Sequence, residues 1–162
     1  DHLYIHSFPT RRSSDLDQGK VAVEDMFGQA GHYDPKAVPS AIFTFPEIAM
    51  VGYTEEEAKD LGIPLLVGKF PLGANSKANI MGEEAGLVKL VARQDNRQVI
   101  GMHIMGAHAP DLIHEGALAI TNKLTIDQVA HTIHAHPTLS EAVHEAALAA
   151  DNRAIHVVGR KS

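Results

Sequence analysis

The chain has 162 residues and a formal charge of −6 with its 11 histidines neutral, a balance that argues against nucleic acid as the main partner. Hydrophobic residues make up 44% of it, enough for the core of one domain, but aromatics only 5%, so Ala, Val, Ile and Leu must fill that core. Cysteine is absent, which removes disulfides, thiolate metal sites and a cysteine nucleophile. No apolar run is long enough for a transmembrane helix, so no membrane partner is expected, and the expected location is cytoplasmic.

The elements follow in chain order. Residues 6–16 resemble the one-frame translation of a common short-read sequencing adaptor, so residues 1–16 are expected to be foreign to the protein and are set aside. Residues 20–27 read as the tail of a helix with a glycine stop at Gly28 and Gly31. Two prolines in 33–39 mark a linker, with a domain boundary near Val38. Residues 40–45 and 48–53 are short β-prone runs separated by Pro46. Thr54 followed by Glu57 is a capping box, and the helix that it starts ends at Gly62. Residues 65–70 form a strand candidate. Residues 86–93 are apolar on both faces, and the turn signal Asp95-Asn96-Arg97 returns the chain through 98–105 as an antiparallel hairpin.

The last third changes period. Leu112, Ala119 and Ile120 fall at helical spacings within 109–122, with Pro110 tolerated in the first turn. Thr125–Gln128 reads as a second capping box, starting a helix to about Thr132, and Thr138–Glu141 as a third, starting an Ala-rich helix to about Ala150. Strands first and helices after predict an α+β fold, a two-layer sandwich of an antiparallel sheet with helices.

Chemistry concentrates between the last two helices. His131, His134 and His136 lie within six residues, on a loop able to present side chains to a ligand. Pro137 pushes His136 out of the α region, and the His136–Pro137 bond belongs to the class that tolerates the cis isomer. Three readings compete. The three histidines could hold a metal, although their spacing is loose and no carboxylate lies among them. They could be partly buried loop residues, with Glu141 only a helix cap. Or Glu141 could orient one nitrogen of a histidine ring so that the other works as a base near neutral pH. Spacing alone does not choose between the last two.

The stretch His134-Ala135-His136-Pro137-Thr138-Leu139-Ser140-Glu141 resembles the C-terminal signature of dihydrolipoamide dehydrogenases, among the disulfide-oxidoreductase flavoenzymes. Val38-Pro39-Ser40-Ala41-Ile42-Phe43-Thr44, Gly68-Lys69-Phe70-Pro71, Ala74-Asn75-Ser76-Lys77-Ala78, Gly86-Leu87-Val88-Lys89 and Ile104-Met105-Gly106 are similar to further segments of that family, so the likeness covers roughly residues 17–156. It departs at Phe45, where the family often has histidine.

The resemblance implies the following. Residues 17–37 are the remnant of an FAD-domain helix and a linker, 38–150 the dimerisation or interface domain, and 151–162 a C-terminal tail. The intact parent is an FAD- and NAD-dependent homodimer that oxidises dihydrolipoamide on lipoyl domains of 2-oxo acid dehydrogenase or glycine cleavage complexes. His136 is the base and Glu141 its partner, supplied to the other subunit's flavin and cysteine pair; the backbone of His136 and Pro137 touches that flavin. His134 is the neighbouring candidate, in a supporting or structural role. No metal is implied. The chain holds no G-x-G-x-x-G fingerprint. This fragment alone is therefore expected to bind neither nucleotide cofactor tightly and to be inactive. The alternatives are a related flavin disulfide reductase of glutathione, mercuric or transhydrogenase type, or a stand-alone dimerisation module. The small residues Ala142, Val143, Ala146, Ala147 and Ala149 of the last helix suit either burial against a partner or packing inside the monomer.

Overall fold

The computed structural model describes residues 11–31 and 33–157. Residues 1–10 of the adaptor-like segment and 158–162 of the tail therefore lie outside the described residues.

Five strands form one antiparallel sheet: β1 (Ser40–Ile42), β2 (Ile48–Gly52), β3 (Leu65–Pro71), β4 (Leu87–Arg93) and β5 (Val99–Met105), in the order β1-β2-β5-β4-β3. Six α-helices accompany it: α1 (Arg11–Met26), α2 (Glu55–Asp60), α3 (Ser76–Met81), α4 (Ala109–Thr121), α5 (Ile126–His131) and α6 (Glu141–Ala149). The α+β expectation holds, and the predicted hairpin is β4–β5. Its ladder slips by one residue beside Val91 and Ala92, which pair with Gly101 and Val99, so Ile100 bulges out. The freed Ile100 carbonyl accepts the Tyr53 N–H at 2.8 Å.

The period-two alternation of the strands sorts the two faces. Val51, Phe70, Val88, Leu90, Met102 and Ile104 point inward and are buried. Two helices cover them, α4 over β2 and β5, α6 over β3 and β4, with α5 against α6. Both helices approach closely because glycine lies beneath or within them. A Cβ on Gly68 of β3 would stand 1.8 Å from the Ala146 carbonyl oxygen, and one on Gly116 of α4 would stand 2.8 Å from Met102 Cβ. Ala142, Val143, Ala146 and Ala147 are fully buried in this packing, so the small residues of α6 are spent inside the monomer. The Ala-rich surface weighed above as a partner face is, at those positions, core. Each larger aliphatic side chain sealed there contributes about 1.5–3 kcal/mol relative to exposure.

The other sheet face is only partly covered. Glu55, in the first turn of α2, reaches Lys69 and Lys89 there, each at 3.2 Å. Burial opposes ionisation of Glu55, but the two lysines outweigh it and hold its carboxyl below the usual range. His103 lies on the same face, in register with Met50 and Lys89, and both its ring nitrogens are buried without a partner.

Several element ends differ from expectation. The first predicted run stops as a strand at Ile42, and the Phe45–Pro46 bond that follows is cis. The helix read at 20–27 runs back to Arg11, across the expected junction at residue 16, because i to i−4 bonding needs only local chain without proline. Helix α3 was not expected. It is short, yet Asn75 caps its start by accepting the Ala78 N–H, and Gly82 closes it in the left-handed region at φ 71°. The capping boxes at Thr54–Glu57 and Thr125–Gln128 are complete. The third is half formed. Ser140 occupies the cap position of α6 with no side-chain bond to the helix, and the Thr138 hydroxyl turns instead to the Ala135 carbonyl at 2.6 Å. Only the Glu141 half survives, with its carboxylate accepting the Thr138 N–H at 2.9 Å.

A cluster of charges closes the far end of the helical layer. Arg97, on the β4–β5 turn, meets Asp127 of α5 and Asp151 just beyond α6, and Arg153 joins both aspartates. These contacts hold Asp127 and Asp151 below their ordinary range, chiefly through Arg97.

Candidate active site

The loop between α5 and α6 carries the three histidines, and the structure sends them in three directions. His131 ends α5 and is exposed. His134 is tucked in, with only 6% of its side chain exposed: Nδ1 faces the Thr132 carbonyl at 2.9 Å and Nε2 the Glu115 carboxylate of α4 at 3.0 Å. Both nitrogens are occupied, so His134 braces the loop against α4 and has none left for a ligand. Among the described residues no three His, Asp or Glu side chains gather as a metal site.

His136 is different. Its Nδ1 lies 2.9 Å from Glu141 Oε1, while its side chain stays 68% exposed. Glu141 takes up its two oxygens separately, Oε1 with the ring and Oε2 with the Thr138 N–H. A carboxylate is an acceptor only, so Nδ1 carries the hydrogen, and in the neutral ring Nε2 is left as a lone-pair base facing outward. Partial burial works against ionisation of Glu141, but the Thr138 N–H and then the His136 ring outweigh it, and the carboxyl titrates below its usual range. The His136–Pro137 bond is cis.

The loop is held from beneath. Leu139 is buried in the core. Asn75, itself 4% exposed, caps α3 with its side-chain oxygen and donates its amide N–H to the Thr138 carbonyl at 3.0 Å. Thr138 is thus gripped at its carbonyl by Asn75 and at its N–H by Glu141. In the sequence Asn75 stands out only within the Ala74-Asn75-Ser76-Lys77-Ala78 resemblance. The usable signal was an Asx residue followed by a short helical run and a glycine stop.

A cavity of about 120 Å³ opens beside the pair, lined by His136 and Glu141 together with Phe70, Asn75, His144 and His156. Its inner wall holds a second carboxylate. Glu145, one turn along α6 and 3% exposed, accepts the Ile155 N–H at 2.9 Å, the His156 N–H at 3.3 Å and His156 Nδ1 at 2.9 Å. Neither residue was singled out from the sequence, because His156 lies in a tail that carries no regular element. A hint was present: Glu145 stands four residues from Glu141, on the same helical face.

Residues 38–147 match the pyridine nucleotide-disulphide oxidoreductase dimerisation domain. The chain is 43% identical over 141 residues to the mitochondrial dihydrolipoyl dehydrogenase of Pisum sativum, covering 87% of this chain and 28% of that protein. It is 49% identical over 140 residues to a dihydrolipoyl dehydrogenase of Bacillus subtilis, covering 86% and 30%. Among solved structures, LpdA from Mycobacterium tuberculosis superposes with a TM-score of 0.76 at 30% identity, covering 80% of this chain and 28% of that one. The chain therefore spans less than a third of the relatives that it matches. Sheet, helical layer, His–Glu loop and matched residues converge on one assignment: the chain belongs to the pyridine nucleotide-disulphide oxidoreductases, as their dimerisation domain.

Proposed function

We propose that this chain is the C-terminal part of a dihydrolipoyl dehydrogenase, in which His136 acts as proton acceptor in the partner subunit's active site and Glu141 holds it in place. The carrying observation is the bond from His136 Nδ1 to Glu141 Oε1, with Nε2 left outward. A thiol of pKa near ~8.5 is only a few per cent thiolate at neutral pH, and the thiolate is the attacking species in disulfide exchange. Imidazole, with an unperturbed pKa near ~6.5, is suited to take that proton. As a substrate sulfur bonds to one sulfur of the disulfide held by the other subunit, the S–H proton passes to His136 Nε2 and the second enzyme sulfur leaves as thiolate. General-base help of this kind is typically worth ~10²–10⁴ in rate.

FAD and NAD, bound by the parent outside this chain, would carry the electrons onward. The backbone of His136 and Pro137 would do no more than approach the flavin of the other subunit. Residues 1–16 as foreign sequence, 17–37 as an FAD-domain remnant, and lipoyl domains as partners belong to the same proposal. So does a cytoplasmic location, although the pea relative is mitochondrial by name. Among the described residues no helix is long and apolar enough to cross a membrane.

The test is a chimera in which residues 38–157 replace the matching segment of the Bacillus subtilis relative. It should dimerise, bind FAD and oxidise dihydrolipoamide with NAD, and His136→Gln should lower kcat/KM by about 10²–10⁴-fold. A folded, FAD-loaded chimera indifferent to His136→Gln would sink the assignment. The 162-residue chain alone should show no turnover, and turnover by it would refute the two-subunit site.

A further inference from the structure

Two carboxylates project from one face of α6, at Glu141 and Glu145, and each grips an imidazole through Nδ1 at 2.9 Å. Glu141 holds the ring of the loop before the helix, Glu145 the ring of the tail after it. Each carboxylate also takes backbone N–H groups, Thr138 in the first case, Ile155 and His156 in the second. His136 and His156 then border the same cavity. The second pair repeats the first, with its carboxylate more deeply buried: the Glu145 side chain is 4% exposed against 25% for Glu141. Glu145 accepts three hydrogen bonds from the tail, and the one from Nδ1 sets the orientation of the His156 ring, whose side chain remains 59% exposed.

We infer that His156, oriented by Glu145, is a second proton-accepting imidazole of the cavity that His136 borders, so that a ligand with two acidic S–H groups meets two oriented bases. The geometry is that of the first pair: the carboxylate receives Nδ1–H, and Nε2 of the neutral ring is the free lone pair. The other titratable side chains around this cavity are Glu141, Glu145 and His144, all on α6, and the strand-to-helix wall contributes Phe70, Asn75 and Ser76 without charge. This inference rests on the reading of His136–Glu141 as a base pair.

The test uses the whole 162-residue chain and long-range ¹H–¹⁵N NMR of its histidine rings. Above the titration range His156 should be the Nδ1–H tautomer with Nε2 bare, and Glu145→Gln should return it to the Nε2–H form that free histidine prefers, leaving His136 unchanged. Adding reduced lipoamide at millimolar concentration should shift the Cε1–H signals of both His136 and His156. A wild-type His156 in the Nε2–H form, or a His156 signal that reduced lipoamide does not move, overturns the inference, and the second result would leave a merely structural clamp. The wild-type readings need no variant to fold. The His136 signals judge the underlying reading separately: if His136 responds and His156 does not, only the second base is lost.

Discussion

The side-chain amide of Asn75 donates to the carbonyl oxygen of Thr138 at 3.0 Å, across 63 positions of chain. It joins the cap of α3 to the loop that carries His136, and the Thr138 N–H continues the path to Glu141. Asn75→Ala removes both a helix cap and the partner of a partly buried carbonyl. The expected loss is about 2–3 kcal/mol of unfolding free energy, read from urea titrations. The His136 Nδ1–H signal should broaden in the same variant. An unchanged urea midpoint would show that the link carries no strain-free stability of its own.

Glu141→Gln tests the orientation of the base. The wild-type carboxylate accepts two N–H groups at once, from His136 and Thr138. A glutamine amide offers one acceptor oxygen and one donor nitrogen, so one of these N–H groups must face an NH₂. In the Bacillus subtilis chimera, kcat/KM should fall by about 10²–10⁴-fold, with FAD content and dimer mass retained. Full activity in that variant would leave Glu141 as a helix cap alone.

Gly68 lies under α6, the helix that bears both carboxylates. A Cβ there would stand 1.8 Å from the Ala146 carbonyl oxygen and 2.7 Å from the Ala150 nitrogen, both backbone atoms that cannot swing aside. Gly68→Ala should cost about 1–3 kcal/mol by overpacking. It should also displace α6, and with it Glu141 and Glu145. Thermal unfolding and histidine ring shifts, measured together, check both effects. A variant as stable as wild type would mean that α6 rides higher on the sheet than described.

His103 predicts an acid sensitivity unrelated to the site. Burial pushes its imidazole down from 6.5 to about 4, helped by Lys89 and opposed by Glu55 and Glu57. Folding keeps this ring neutral, whereas the unfolded chain protonates it near its ordinary value. Its contribution to stability is therefore whole above about pH 6.5 and is lost progressively as pH falls towards 4. Denaturant midpoints at pH 7.5 and 5 should differ less in His103→Leu than in wild type. Equal differences in the two proteins would remove His103 as the cause. Glu141, Asp127 and Asp151 are held below their ordinary ranges, so what they contribute persists to lower pH and fades in a separate, more acid window.

What the sequence determined by itself was local. The β4–β5 hairpin follows from two apolar runs around Asp95-Asn96-Arg97, and the starts of α2 and α5 from Thr-Glu and Thr-Gln boxes whose bonds span three residues. Spacing placed His136 and Glu141 on one short loop, five residues apart, but left a helix cap and a His–Glu pair both open; the resemblance implied the pair, and the bond between them is seen only in the folded chain. Tertiary structure decided what depends on distant chain. It turned the Thr138 hydroxyl away from its expected helix bond, because Asn75 and Glu141 already hold that residue at both ends of its backbone. It separated His134, tucked in and held by Glu115 on α4, from His136, which two residues later meets Glu141 and stays exposed. It buried the alanines of α6 against a glycine in β3 that no helical periodicity could reveal. It also brought His156 beside the first pair, since a tail without regular structure takes its position from contacts with distant chain, and Glu145 can hold His156 only once α6 lies on the sheet.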